Sequence, residues 1–368
     1  MLLRPVVRSP WRVLRITLQP QAQCKGRSNR SITTRSNNNT PPFPTIQTCP
    51  SPSCSCAATP AMPQGLPIDH SKSLNGTMAP YAEQVLICTG KDDWPSKIED
   101  ENSGDNLAAD IKELMGRGGM FSDPYHNVSI LNTSLPSTPP PSRPGIQIQS
   151  TSAYLVPSFK YIPFLPRVSF DSVQALVKGY LLPTKLHPAH DNLSPIHKDR
   201  LLRSEDQGRM LYGVQDVKDV LVLICGHGGR DMRCGVMGPV LREEFERQLG
   251  RQDFAVLKDP VHVSVETENE AQLLGDRDQD VGTNGAARVG LISHIGGHKF
   301  AGNVILYLPP GFRTADGKAH DLAGCGIWYG RVEPKHVEGI VKETVLEGRV
   351  IEELFRGGIR QGGEILRL

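Results

Sequence analysis

Val220-Leu221-Val222-Leu223-Ile224-Cys225 is an apolar run that ends on a cysteine, and Gly226-His227-Gly228-Gly229-Arg230-Asp231-Met232-Arg233 separates it from a second cysteine, Cys234. The apolar run reads as a strand. The stretch after it is too rich in glycine for regular structure and reads as a loop suited to wrapping a metal centre. A second pair of metal-ligand side chains, His294 and His298, has three residues between its members and follows another strand-like run, Val289 to Ser293. The spacing is helical, but the adjacent Gly296 and Gly297 disfavour a helix and suit a second wrapping loop. Two thiolates and two imidazoles on two loops make a four-ligand site.

The strands around these loops set the expected fold. Val85-Leu86-Ile87-Cys88 echoes Val222-Leu223-Ile224-Cys225, and Val173 to Leu182 matches Val337 to Leu346 with apolar residues at the same offsets. Two matches in the same order imply two related α/β units, at 80–185 and 212–356, joined by a polar linker at 186–211. The first unit has no counterpart of Cys234 and no His-x-x-x-His, so it is expected to lack the metal site. In the second, the order is a strand at 219–225, the glycine loop, a helix from Pro239 to Leu249, and strands at 261–266, 289–293, 304–308 and 326–330. A helix from Pro334 closes it. This alternation resembles a thioredoxin-like layer. Residues 98–110 read as a solvated acidic stretch, 134–144 as a Pro-rich loop, 268–287 as a polar loop and 357–368 as a tail.

A chain of 368 residues with 38% hydrophobic content can bury a core of this size. No uncharged apolar run approaches the roughly 20 residues of a spanning helix, so no membrane span is expected. The formal net charge of +2 implies no dominant acidic partner, and no nucleic-acid partner is expected. The charge is uneven, however. No acidic residue precedes Asp69, while Arg4, Arg8, Arg12 and Arg15 share one helical face beside Leu3, Val7, Trp11, Leu14 and Leu18. An Arg-rich, Ser-rich, acid-poor leader reads as a mitochondrial transit segment, matrix or intermembrane space, although Pro5 and Pro10 weaken its helix. Residues 1–78 as a whole show no periodicity and are expected to be leader and disordered sequence. Cys24, Cys49, Cys54 and Cys56 fall in that stretch and read as exposed thiols. With eight cysteines spread over this length, the chain is not a disulfide scaffold.

Two metals suit the ligand set. Zinc is bound by two-cysteine, two-histidine sites, and His-x-x-x-His fits its usual spacing, but its cysteines normally stand two to four residues apart rather than eight. A [2Fe-2S] cluster is larger than one ion and tolerates the wider pair, and histidines replace two of its cysteines in Rieske centres. Residues 218–349 resemble the thioredoxin-like [2Fe-2S] ferredoxins. The Cys-x(8)-Cys of Val222 to Gly235, the stretch His294-Ile295-Gly296-Gly297-His298-Lys299-Phe300-Ala301-Gly302-Asn303, and Trp328-Tyr329-Gly330-Arg331-Val332-Glu333-Pro334 are similar to the sucrase/ferredoxin-like family. Within it, the leader and the segment Gly76 to Trp94 are similar to a group named for altered inheritance of mitochondria. The resemblance implies a [2Fe-2S] cluster held by Cys225, Cys234, His294 and His298 in a mitochondrial protein of redox and thiol quality control.

Such a centre, less negative than one with four thiolates, is expected to have a raised and pH-dependent potential and to exchange electrons with redox partner proteins. Arg230, Arg233 and Lys299 are candidates for stabilising the reduced state, or else solvate the surface. His227 is a competing ligand candidate, Cys325 reads as a buried small residue, and Asn303 and Trp328 read as structural. Two other functional classes remain: a zinc-stabilised protein-interaction module, and a thiol oxidoreductase acting through Cys88 or the leader cysteines. The chain has no Cys-x-x-Cys, no phosphate-loop Gly-Lys-Ser/Thr and no spaced-glycine dinucleotide turn.

Overall fold

The computed structural model describes residues 41–102, 106–141, 149–263 and 284–368. The expected transit helix, Cys24 and most of the polar loop at 268–287 lie outside them, as does the second half of the strand expected at 261–266. Residues 261–263 of that strand are irregular.

Among the described residues the strands are β1 (Thr45–Ile46), β2 (Glu83–Cys88), β3 (Val128–Thr133), β4 (Ser150–Val156), β5 (Lys160–Pro166), β6 (Gln215–Asp216), β7 (Val220–Cys225), β8 (Ala255–Val256), β9 (Ala286–Ile292), β10 (Val304–Leu308), β11 (Cys325–Tyr329), β12 (Val350–Ile351), β13 (Phe355–Arg360) and β14 (Ile365–Leu366). The α-helices are α1 (Leu107–Met115), α2 (Asp171–Leu176), α3 (Pro195–Leu201), α4 (Glu205–Gly208), α5 (Met232–Arg251) and α6 (Pro334–Ile340). The protein is mixed α/β, and one sheet dominates it. Its strand order is β14-β13-β11-β10-β7-β9-β3-β2-β4-β5-β6, with β8 also on β9.

The halves of the sheet repeat one pattern. In the first, β2 pairs parallel with β3 and antiparallel with β4, which pairs antiparallel with β5. In the second, β7 pairs parallel with β9 and antiparallel with β10, which pairs antiparallel with β11. Each half then ends in a short α-helix that runs into π-helical turns, α2 into Val177–Leu181 and α6 into Val341–Leu346. The join is a single pairing, Thr133 of β3 against Ile292 of β9.

β7 is the centre of the second half and is buried along its whole length. The period of two in a strand sends alternate side chains to opposite faces. Val220, Val222 and Ile224 enter one core with Met237, Leu241, Phe245 and Leu249 of α5 and Val337 and Ile340 of α6. Leu221, Leu223 and Cys225 enter the other, which also takes Leu86 and Cys88 of β2, Tyr154 of β4 and Trp328 of β11. Both faces therefore exclude water, and Cys225 is carried into the core shared by the two halves.

Four expectations change. Residues 357–368 are not a free tail, because β13 pairs with β11 and β14 folds back on β13 to form the edge of the sheet. The helix at 239–249 begins earlier, at Met232, because Asp231 caps it by accepting the Arg233 amide, and Pro239 sits within it. Residues 98–110 are not wholly solvated: α1 starts at Leu107 and buries Leu107, Ala108, Ile111 and Leu114 on one stripe. Nor are residues 41–78 loose. Phe43 is buried against Phe355, β1 adds parallel to β12, and the chain beyond is held by carboxylates. Cys49 N donates to Glu353 Oε1 (2.8 Å), Ser53 N to Glu338 Oε2 (2.9 Å) and Ala57 N to Glu244 Oε2 (3.1 Å). Backbone donors satisfied by distant side chains leave no periodic trace in a sequence. Cys49, Cys54 and Cys56 are accordingly half-buried rather than exposed.

Candidate metal centre

Cys225 is the last residue of β7, and its amide donates to Asn303 O (2.9 Å) just before the start of β10. From there the chain turns tightly: Gly228 N donates to Gly226 O (2.9 Å) and Asp231 N to His227 O (3.0 Å). Asp231 then starts α5, which places Cys234 in its first turn, with the Cys234 amide on Asp231 O (3.0 Å). The second cysteine is thus presented by a helix rather than a loop. The positive end of a helix dipole favours a thiolate there. Close approach of α5 to the loop needs small residues, since a Cβ on Gly238 would lie 2.6 Å from the Gly226 Cα.

The histidines come from the other side. β9 ends at Ile292, and His294 follows two residues later; His298 opens a single 3₁₀ turn, His298–Phe300. Between them Gly296 and Gly297 adopt φ of +79° and +74°, the left-handed region that favours glycine. The chain doubles back there, bringing the two imidazole rings to 5.2 Å between centroids.

Cys225 adjoins Cys234 and His294, and His298 joins them through the His294 ring. Cys225 and Cys234 are buried, both thiols are free of disulfides, and their sulfurs interact directly. The Cys225 thiol is held well below its ordinary pKa, first by a hydrogen bond from Cys234 and, against the pull of burial, by the adjacent His294 ring. Cys234 is raised because it donates to Cys225 and is itself buried. Burial lowers His298, with Asp231 working against it, which keeps its imidazole neutral and its lone pair available.

The telling atoms are the Nδ1 of His294 and the Nδ1 of His298: both are buried and neither has a hydrogen-bond partner. Buried polar nitrogens are normally satisfied. Two orphaned imidazole nitrogens on neighbouring rings, with His294 next to a buried cysteine pair, are donors of the kind a metal group takes as ligands. Among the described residues, no three or more His, Cys, Asp or Glu side chains gather around one point as a single ion requires.

His227 is not a ligand in this arrangement. Its Nε2 lies 3.0 Å from both Trp94 O and Pro95 O, and its Nδ1 accepts the His294 amide (3.0 Å). Both ring nitrogens are occupied, and the ring instead fixes where the histidine loop departs. Arg233 is also committed, forked onto Asp231 (2.9 Å from Nε and from Nη2) with Nη1 on Pro67 O (3.0 Å). Lys299 pairs with Asp69 (3.3 Å), and Arg230 is exposed, reaching Ser96 Oγ (3.2 Å). Cys325 is buried, which raises its thiol. Asn303 and Trp328 are buried as well, with Asn303 Nδ2 on Gly297 O (3.0 Å) and Trp328 Nε1 on Tyr81 OH (3.1 Å).

Residues missed in the sequence complete the surroundings. Asp69 N donates to Lys299 O (2.8 Å) and Arg331 Nε to Asp69 O (2.7 Å), so segment 66–78 lies over the histidine loop. Arg356 of β13 reaches Gly296 O and Asn303 Oδ1. A cleft of about 390 Å³ borders His294 on the outside, lined in part by Ser96, Lys97, Lys112 and Arg230.

A family model described as sucrase/ferredoxin-like matches residues 74–357, a span that contains all four side chains. A protein named altered inheritance of mitochondria protein 32 from Debaryomyces hansenii is 31% identical over 85% of this chain and 96% of its own length. Proteins of the same name from Meyerozyma guilliermondii and Clavispora lusitaniae are 29% and 31% identical, each over 85% of this chain and over 94% and 95% of their own lengths. No solved structure matches the chain.

Proposed function

Since the chain belongs to the sucrase/ferredoxin-like family, we propose that it is a [2Fe-2S] protein of electron transfer or redox and thiol quality control, with Cys225, Cys234, His294 and His298 as cluster ligands. The observation that carries this reading is the pair of buried, unpartnered Nδ1 atoms on neighbouring rings, of which His294 adjoins the buried Cys225–Cys234 pair. When bound, a [2Fe-2S] cluster supplies one-electron chemistry.

The chain's own residues do the rest. Cys225 is held below the ordinary thiol range by Cys234 and His294, which eases the loss of its proton on sulfur ligation. With both Nδ1 atoms turned inward, the Nε2 of His298 faces outward, 4.0 Å from Asp231 Oδ2, on a side chain that is 44% exposed. That nitrogen can exchange a proton with solvent, which couples ligand charge to pH. Segment 66–78 and the buried core keep water from the sulfurs, while the cleft beside His294 leaves a side from which a partner protein can approach.

The repeated strand order supports a reading as two thioredoxin-like units, of which the second holds the centre. The name shared by the relatives and the acid-free basic leader support a mitochondrial setting. Among the described residues no helix is long and apolar enough to cross a membrane. The test is anaerobic purification of the full chain. Brown protein with equal iron and acid-labile sulfide is the expected result, with visible absorbance altered in His294→Ala and in His298→Ala. Colourless protein with one zinc per chain would replace this reading with the interaction module.

A further inference from the structure

Arg356 is a cation that the sequence does not single out. It sits on β13, 1% exposed, among the largest fully buried side chains of the protein. Its Nε donates to Thr77 Oγ1 (3.1 Å), its Nη1 to Gly296 O (3.2 Å) and Asn303 Oδ1 (2.7 Å), and its Nη2 to Thr77 O (3.1 Å). Every one of these acceptors is neutral. The guanidinium carbon also lies 5.7 Å from the Trp328 ring centre and 5.8 Å from that of Phe300. Among the described residues, no carboxylate forms an ion pair with it.

Burying a charge without a counter-charge costs several kcal/mol, which hydrogen bonds to neutral acceptors and aromatic faces offset only in part. A folded protein keeps such a group where an opposite charge is present. Here the groups that act on Arg356, against a burial that lowers it to about 10, are the sulfurs of Cys225 and Cys234, which carry negative charge when they ligate a metal group. Arg230, Arg233 and Lys299, the nearer cations in sequence, are exposed or already matched by carboxylates. Arg356 is the buried cation left to balance the site.

We propose that Arg356 is a positioning residue for the metal centre: its guanidinium ties the histidine loop to β13 through Gly296 and Asn303 and offsets the negative charge of the thiolate ligands and of an added electron, raising the reduction potential. This rests on the cluster reading given above. The step concerned is the uptake of one electron from a one-electron reductant, which adds one negative charge and makes or breaks no covalent bond. A fixed positive charge in a medium of low dielectric favours the more negative state.

The experiment compares wild type, Arg356→Gln and Arg356→Lys in the full chain, each titrated with dithionite through dye mediators while the visible spectrum is followed. The glutamine variant is expected to keep the wild-type absorbance bands and to lose about tenfold in the equilibrium constant for reduction, a fall of about 59 mV for one electron. Lysine is expected to restore most of that loss. A glutamine variant with wild-type bands and an unmoved potential overturns the inference and leaves the cluster reading standing, as does a lysine variant that falls as far as glutamine. If the glutamine variant folds but takes up no iron, wild-type loading of the lysine variant supports the charge role, and equal failure of both overturns it. Wild type lacking iron and sulfide overturns the cluster reading itself.

Discussion

Replacing Gly297 by alanine tests how tightly the histidine loop is built, because Gly296 next to it provides an internal control. Both residues have positive φ, +79° and +74°, and an L-residue in that region costs about 1–2 kcal/mol. At Gly296 nothing lies within 4 Å of an added Cβ, so this backbone term is the whole expected cost. At Gly297 the Cβ would lie 2.6 Å from Arg356 Nη2 and 2.9 Å from its guanidinium carbon. The guanidinium is buried and held by four hydrogen bonds, so it has to give up at least one of them to move. A hydrogen bond to a charged group contributes about 1.5–3 kcal/mol. The expected loss is therefore about 1–2 kcal/mol for Gly296→Ala and about 3–5 kcal/mol for Gly297→Ala. Urea unfolding of the metal-free proteins measures both. Equal losses in the two variants would refute the packing of Arg356 against the loop.

Removing the His227 ring with His227→Ala strips the His294 amide of its acceptor; a loss of about 2–4 kcal/mol in urea unfolding is expected, with weaker retention of metal but unchanged absorbance band positions, whereas shifted bands would mean that His227 is itself a ligand. Glu83 is raised to about 7 by burial, with Ser158 hydrogen bonds opposing. The folded protein then binds this proton more tightly than the unfolded chain, so stability is highest below the ordinary carboxylate range and falls as pH rises from about 4.5 to about 7. The full effect is on the order of 3 kcal/mol, and Glu83→Gln is expected to flatten that part of a pH series of unfolding free energies. In the metal-loaded protein, loss of the outward imidazole proton stabilises the oxidised state, so the midpoint potential is expected to fall with rising pH between about 6 and 9; a flat profile would remove the histidines from the ligand set.

The sequence reveals side chains that end regular elements better than those that come from elsewhere. Cys225 and His294 are legible because apolar runs deliver them. Cys234 is legible as a candidate ligand but not as part of a helix, since Gly235, Gly238 and Pro239 disguise the first turns of α5. Those glycines are there for contact, as at Gly238 against Gly226. α1 was hidden by charge: Asp110, Lys112 and Glu113 lie on its outer side, while Leu107, Ala108, Ile111 and Leu114 form the buried stripe. Segment 41–78 was unreadable for a different reason, because it is held through carboxylates of Glu244, Glu338 and Glu353 far along the chain. Arg356 was missed because a lone arginine beside two glycines in a terminal strand looks like surface charge until its burial is known.

In the proposed centre, sulfur and nitrogen share the ligation of two irons. Pulsed electron paramagnetic resonance of the reduced protein tests it most directly, by counting strongly coupled ¹⁴N nuclei. Two imidazole couplings are expected in wild type, and one in His298→Cys with the centre retained. A reduced centre with no strong nitrogen coupling, or with two that survive in His298→Cys, would contradict the assignment of Cys225, Cys234, His294 and His298.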